Sequence, residues 1–346
     1  MLLRSRAAAL AGAVVMVAGV VIAATGATSG VVEETMRLPA AQTYSVSAPA
    51  GRQAPRTLRA RAAVTVRIQQ YNLCAGNDTC IANRDYVKVA RGLVRRFAVS
   101  DGAWFISLNE ICKRDFDDLT RTLKVAGTMV YSQPSRDSCS GPMNDGASGP
   151  FGNAILHPGG LYEGRLARYL PTQEATTCAA TIECRTMLCL HLRTLAGPMT
   201  VCTTHLDTKR GNPLAPPELT IPQKQANEYL QIATAFAAGR RKVLAGDFNL
   251  PPAEVPDVYS ARMRDLVNGN TFPLWGDWDN DPRTFARPAV PDRKIDYIWV
   301  DRAGTFRAYG GYCDDHVASD HCYTRGAWRL PASSPARSQG GRLLRP

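Results

Sequence analysis

Apolar and polar positions alternate over Val64, Val66 and Ile68, a period of two that predicts a strand ending near Asn72. Tyr86, Ala90, Leu93, Val94 and Phe97 then fall at helical spacing. A run from Trp104 to Leu108 reads as a buried strand that stops at Asn109-Glu110. Leu188–Leu192 and Met199–Thr204 read as a hairpin turning near Leu195-Ala196-Gly197, with His205 at its end. Pro222–Phe236 reads as a helix, and Lys242–Ala245 as a short buried strand leading into Gly246-Asp247-Phe248-Asn249. Ile295–Val300 is another strand, with Asp296 near its start. One event recurs along this order: a helix, a short apolar strand, then a carboxylate at the strand's C-terminal end, at Glu110 and again at Asp247. Polar groups delivered to strand ends from distant parts of a sheet are how a rigid scaffold assembles one site.

The ends of the chain lack this patterning. Arg4 and Arg6 precede an apolar run from Ala7 to Ala24, followed by small residues near Thr25–Gly30, which is the layout of an export signal. The run is also long enough to serve as an uncleaved anchor. Residues 1–29 are therefore expected to be a signal peptide or N-terminal anchor, and 30–62 a flexible linker rich in Ala, Thr, Ser, Pro and Arg. One folded domain is expected over 63–330, followed by a disordered tail over 331–346.

Charge changes this picture little. The formal net charge of +11 suggests a nucleic-acid partner at first sight. However, residues 1–63 hold seven Lys/Arg against two acids, and 331–346 hold three Arg and no acid. That removes ten of the 41 basic and two of the 30 acidic residues, so the folded body is close to neutral. Net charge alone therefore says nothing firm about DNA.

Cysteine usage is more informative. Ten cysteines, an even number, suit an oxidising destination. Nearest-neighbour pairing gives Cys74 with Cys80, Cys112 with Cys139, Cys178 with Cys184, Cys189 with Cys202 and Cys313 with Cys322. The Cys189–Cys202 pair would face across the hairpin. No paired CxxC spacing of a structural zinc site is present.

Taken singly, the candidate chemical residues have ordinary explanations. Asn72 and Gly246-Asp247-Phe248-Asn249 could be turns, Glu110 a solvated carboxylate, His205 a core histidine, and Asp320-His321 a cap. Their combination is what counts. In order the chain reads Tyr71-Asn72-Leu73, Leu108-Asn109-Glu110-Ile111, Thr204-His205-Leu206-Asp207, Gly246-Asp247-Phe248-Asn249, Lys294-Ile295-Asp296-Tyr297-Ile298 and Ser319-Asp320-His321. This order and spacing resemble the endonuclease/exonuclease/phosphatase superfamily of DNase I-like hydrolases, over about residues 64–330. Gly152-Asn153-Ala154-Ile155-Leu156 and Thr284-Phe285 also look like segments of that family.

The resemblance implies an α/β fold, a four-layer αββα sandwich of two mixed sheets flanked by helices. It also implies hydrolysis of phosphate esters by in-line attack of water, with a hard divalent cation neutralising the phosphoryl oxygens. Mg²⁺ is the expected cofactor, with Mn²⁺ and Ca²⁺ as alternatives. Carried over residue by residue, Glu110 and Asp320 would hold the metal, with Asn72 an amide-oxygen ligand or a neighbour that orients one. His321 paired with Asp296 would act as general base or charge stabiliser. Asp247 and Asn249 would orient the water or assist the leaving group, and His205 would contact a phosphoryl oxygen.

Two positions depart from the family pattern. Asn109 stands where Gln commonly precedes the metal-binding Glu, and His157-Pro158 follows Leu156 where a Ser-Arg pair is usual. Neither removes a core residue, and His157 is expected to be exposed.

The substrate expected first is extracellular DNA or RNA, met by arginines such as Arg165, Arg168, Arg210 and Arg283. A phospholipid, as in a sphingomyelinase, comes second, with Trp275 and Trp278 as the modest candidates for membrane contact. A phosphoinositide phosphatase and a non-catalytic secreted binding module are the remaining readings. No protein partner is implied, and a monomer is expected.

Overall fold

The computed structural model describes residues 41–47, 63–75, 91–96, 98, 103–139, 148–157, 162–173, 183–194, 196–208, 219–268, 294–310, 321 and 323–331. Expectations placed on Asp320, Arg210, Arg283, Thr284-Phe285, the two tryptophans at 275 and 278, the N-terminal 40 residues and the C-terminal tail beyond residue 331 lie outside the described residues.

The strands are β1 (Thr43–Val46), β2 (Val64–Asn72), β3 (Phe105–Cys112), β4 (Ala126–Arg136), β5 (Gly149–His157), β6 (Tyr162–Tyr169), β7 (Thr186–Thr194), β8 (Gly197–His205), β9 (Arg241–Asp247), β10 (Met263–Asp265), β11 (Val267–Asn268), β12 (Asp296–Asp301), β13 (Thr305–Gly310) and β14 (Thr324–Leu330). The helices are α1 (Lys113–Leu123), α2 (Ile221–Ala237) and α3 (Asp257–Arg262). Residues 91–96 are also helical.

Eight strands form one sheet in the order β1-β4-β5-β3-β2-β14-β13-β11, and six form a second in the order β10-β12-β9-β8-β7-β6. The core explains their stacking. One apolar cluster joins Val66, Ile68, Phe105 and Trp328 of the first sheet to Leu188, Leu190, Val243 and Ile298 of the second. The outer face of the first sheet buries Leu108, Met129 and Leu156 against Phe116 and Leu119 of α1. The outer face of the second buries Leu244 and Phe248 against Ala226, Tyr229 and Ala233 of α2. Both helices are thus amphipathic covers, and the order of layers is αββα as expected.

Local chemistry accounts for the helix ends. Thr220 and Gln223 form a capping box, the Thr220 N–H donating to Gln223 Oε1 at 2.9 Å, and Pro222 sits in the first turn where no N–H is needed. Lys124 and Ala238 end α1 and α2 in the left-handed conformation, at φ 53° and 47°.

Three expectations change. The linker expected over 30–62 contains β1, which pairs antiparallel with β4 (Thr43 with Val130, Val46 with Gly127). Four residues carry too little periodicity to show this strand, and its partner is remote in sequence. The strand expected to stop at Asn109-Glu110 runs on to Cys112 through a bulge between Leu108 and Ile111. His157 is buried at the end of β5, not exposed, with Tyr162 stacked 6.4 Å from its ring. Arg165 donates to Ser45 Oγ at 3.1 Å and lies with Arg168 on the edge strand β6.

Two expected disulfides are present, Cys112–Cys139 and Cys189–Cys202, the latter between register partners of β7 and β8. Cys74 and Cys184 are disulfide-bonded as well, while Cys80, Cys178, Cys313 and Cys322 lie outside the described residues. No helix among the described residues is long and apolar enough to cross a membrane.

Candidate active site

Strand register assembles the site. β2 and β3 run parallel with Asn72 opposite Asn109, so Asn72 and Glu110 emerge together from the first sheet. β8 and β9 run parallel with His205 opposite Asp247, and β12 runs antiparallel to β9 with Asp296 opposite Asp247. Gly246 allows the close approach, since a Cβ there would lie 2.1 Å from the Thr204 carbonyl oxygen and φ is +146°. These residues therefore meet at one common end of the two sheets.

Asp247 is the hub. Its Oδ2 accepts from Asn72 Nδ2 at 3.1 Å and lies 3.4 Å from His321 Nε2 and 3.6 Å from His205 Nε2. Its Oδ1 accepts the Asn249 backbone N–H at 2.9 Å. Asn249 is anchored in turn by donating from Nδ2 to the Leu206 carbonyl at 2.9 Å. The same Asn72 Nδ2 also donates to Glu110 Oε1 at 3.1 Å, and Asn72 Oδ1 accepts the Cys74 N–H at 2.8 Å. Asn72 thus links two carboxylates through one amino group. The Cys74 N–H engages one acceptor position of the Asn72 oxygen, while the Asn72 amino group bridges the two carboxylates.

Asp296 Oδ2 lies 2.7 Å from His321 Nδ1. This pair comes together from β12 and from the segment just before β14. Asp296 Oδ1 in turn accepts from Gln70 Nε2 at 3.3 Å.

Beneath the carboxylates runs a buried polar network that sequence reasoning did not propose as functional. Asn109 Oδ1 accepts from Gln70 Nε2 at 2.7 Å and from the Asp247 backbone N–H at 2.9 Å. Its Nδ2 donates to Asn153 Oδ1 at 2.9 Å and to the Thr204 carbonyl at 3.0 Å. Ser107 Oγ and Thr203 Oγ1 lie 2.7 Å apart across the sheets. Polar residues at inward-facing strand positions were the available signal, since such groups persist only when partnered.

Backbone strain collects here too. Cys74, Glu110 and Asn249 have φ of 56°, 48° and 50°. The other two non-glycine residues with positive φ among the described residues end helices. A left-handed residue of this kind costs on the order of 1–3 kcal/mol and persists where its surroundings hold it, often at functional sites.

Burial governs the electrostatics. It pushes the Asp247 carboxyl up to about 7; His321 opposes this rise and Asp296 adds to it. Burial also holds His205 well below its ordinary value, and the Arg185, His321 and Arg136 charges act in the same direction.

Ligand atoms of Asp247, Asp296 and His321 all lie within 4.8 Å of one another. Glu110, whose side chain is 18% exposed against 1% for Asp247, stands on the open side. Buried carboxylates whose charge is costly without a counter-ion are an oxygen-rich donor set that suits a hard divalent cation.

Two face-to-face mixed sheets with helical covers, holding this Asp–His cluster at their shared end, define a phosphoesterase of the DNase I-like fold. The chain belongs to the endonuclease/exonuclease/phosphatase family, whose sequence model matches residues 59–321. An endonuclease/exonuclease/phosphatase family protein from Bacteroides thetaiotaomicron is similar in structure, with a TM-score of 0.55 and 15% identity, covering 78% of this chain and 99% of that one. A mannosyl-6-phosphatase of the same organism superposes at a TM-score of 0.54 with 15% identity, over 75% and 98% of the two chains. Truncated TDP2 from Caenorhabditis elegans does so at 0.50 with 15% identity, over 76% and 97%. Among curated proteins none matches the sequence.

Proposed function

We propose that this chain is a secreted, divalent-metal-dependent phosphodiester hydrolase, with extracellular DNA or RNA as its substrate. The observation that carries this reading is the convergence of Asn72, His205 and His321 on one oxygen of Asp247, with Glu110 beside them. Disulfides within the domain support an oxidising destination, where extracellular nucleic acid would be accessible to it.

Glu110 would hold the cation, Mg²⁺ first, together with Asp320 as the sequence resemblance implies. When bound, the cation would neutralise charge on the phosphoryl oxygens. Asn72 keeps Glu110 and Asp247 in register. Asp296 holds a proton on His321 Nδ1, which leaves Nε2 to accept one from the attacking water. Asp247, oriented by Asn72 and the Asn249 N–H, positions that water or the leaving oxygen. His205 contacts a phosphoryl oxygen.

The test is hydrolysis by the purified full chain, run in parallel on plasmid DNA, RNA and sphingomyelin. Nicking of plasmid or loss of RNA supports the nuclease reading. Release of choline phosphate would keep the chemistry and move the substrate to lipid, contradicting the nucleic-acid assignment.

A further inference from the structure

His205 presents its two ring nitrogens to opposite surroundings. Nε2 faces the carboxylates, 3.6 Å from Asp247 Oδ2 and 3.9 Å from Glu110 Oε1. Nδ1 faces away from them, toward Arg185 Nη1 at 3.3 Å, with Glu183 Oε1 further off at 3.8 Å.

The segment carrying Arg185 is held in place. The Cys184 N–H donates to the Ser132 carbonyl at 2.9 Å, and the Arg185 N–H donates to Gln173 Oε1 at 2.8 Å. Arg185 Nη1 also donates to Glu183 Oε1 at 2.8 Å, and Arg136 Nη1 reaches Glu183 Oε2 at 3.4 Å. Asp207 Oδ2 lies 4.0 Å from Arg185 Nε, so the guanidinium is flanked by two carboxylates and its side chain is only 12% exposed. Arg185, Glu183 and Arg136 lie outside the Asp–His cluster and outside the sequence motifs, whereas His205 and Asp207 belong to one of those motifs.

A guanidinium has donors only and stays charged. Its hydrogen bond to an imidazole therefore has a single polarity, with arginine donating and the ring nitrogen accepting. A nitrogen that accepts carries no proton, so a neutral ring must place its proton on the other nitrogen. Among the described residues, Glu183 is the carboxylate within 4 Å of Nδ1 that could draw a proton onto it, and Arg185 already occupies that oxygen.

We propose that Arg185 is a positioning residue that fixes His205 in the Nε2–H tautomer, so that the ring donates a hydrogen bond into the site. The proposal rests on the phosphoesterase reading and deepens it. His321, whose Nδ1 faces Asp296, presents Nε2 as an acceptor. His205, whose Nδ1 faces Arg185, presents Nε2 as a donor. The two histidines flank one oxygen of Asp247 with opposite polarity. One is equipped to take a proton from water, and the other to hold a phosphoryl oxygen.

The experiment is a long-range proton–nitrogen correlation spectrum of the full chain labelled with ¹⁵N-histidine, with His205 assigned by its disappearance in His205→Gln. The wild type should show Nδ1 of His205 at the downfield position of an unprotonated nitrogen and Nε2 protonated. In Arg185→Met, Nδ1 should move to the protonated position as Glu183 becomes its acceptor. Arg185→Lys, which keeps a donor, should return it. On a phosphate ester that the wild type hydrolyses, Arg185→Met should lose about tenfold or more in kcat, the usual size for removing a group that orients a functional histidine. A protonated Nδ1 in the wild type overturns the proposal whether or not any variant folds, and so does an unchanged pattern in Arg185→Met. If the wild type hydrolyses no phosphate ester, the functional reading fails, while the tautomer assignment is still decided by the spectrum.

Discussion

Asn109 Oδ1 accepts the backbone N–H of Asp247 at 2.9 Å, bridging the two sheets directly under the carboxylates. Through its neighbour Glu110 in β3 and its partner Asp247 in β9, this one amide sets the spacing between the two sides of the site. Asn109→Ala would leave Asn153 Oδ1 and the Asp247 N–H without their Asn109 partner in a buried setting, while Gln70 Nε2 keeps its bond to Asp296. Unpartnered groups of that kind cost roughly 1–3 kcal/mol each, so a net loss of about 3 kcal/mol in unfolding free energy is expected, together with loss of turnover. Urea unfolding and a kinetic assay on the same preparation check both.

Asp296 orients His321 by accepting at Nδ1, 2.7 Å away. Asp296→Asn preserves the shape but offers an amide that can hold the ring in the other tautomer. A fall in kcat of about 10²–10⁴-fold is expected, the range for disabling a general base. The thermal midpoint should change little by comparison. Steady-state kinetics beside a melting curve separate chemistry from folding.

β1 is part of the domain although it lies far upstream of β2. Tyr44 packs edge-on against Phe116 at 5.9 Å, and Lys113 Nζ sits 3.8 Å from its ring centre. Tyr44→Ala should lower stability by about 1–2 kcal/mol through these two contacts. A chain begun at residue 63 should be less stable still, and denaturant midpoints read both effects.

What the sequence made legible, and what it hid, follows from the range of each signal. The strands β2, β7, β8, β9 and β12 and the helix α2 stand out because each carries its own periodicity. The catalytic candidates stand out because a carboxylate or histidine directly after an apolar strand is locally conspicuous. Hidden were the interactions between elements. Asn153 and Gln70 sit within strands whose polar positions look solvent-facing until a second sheet is laid over them. Glu183 and Arg185 gain their meaning only from Nδ1 of His205, some 20 residues downstream of Arg185. The left-handed backbone at Glu110 likewise arises from the bulge against β5, which no pattern in β3 alone discloses.

Stability should also depend on pH at a position remote from the site. Asp115 is buried in α1, and burial pushes its carboxyl up despite the opposing charges of Arg91 and Arg114. A carboxyl whose folded value lies above its unfolded value binds the proton more tightly in the native state. Its contribution to stability therefore falls as pH rises from the ordinary aspartate range through the raised value, and is flat above it. The wild type should lose stability relative to Asp115→Asn over that interval. Denaturant titrations of both proteins from about pH 3 to about pH 7 would show it, and parallel curves would refute it.

The most direct measurement is plasmid hydrolysis by the full chain with Mg²⁺, with EDTA, and with Glu110→Ala in Mg²⁺. Glu110 is the carboxylate placed on the open side of the cluster and bridged to Asp247 by Asn72. Nicking is expected in Mg²⁺, abolished by EDTA and reduced by at least about 10²-fold in Glu110→Ala while the fold is retained. Equal nicking by the wild type and Glu110→Ala, or activity untouched by EDTA, would contradict this expectation.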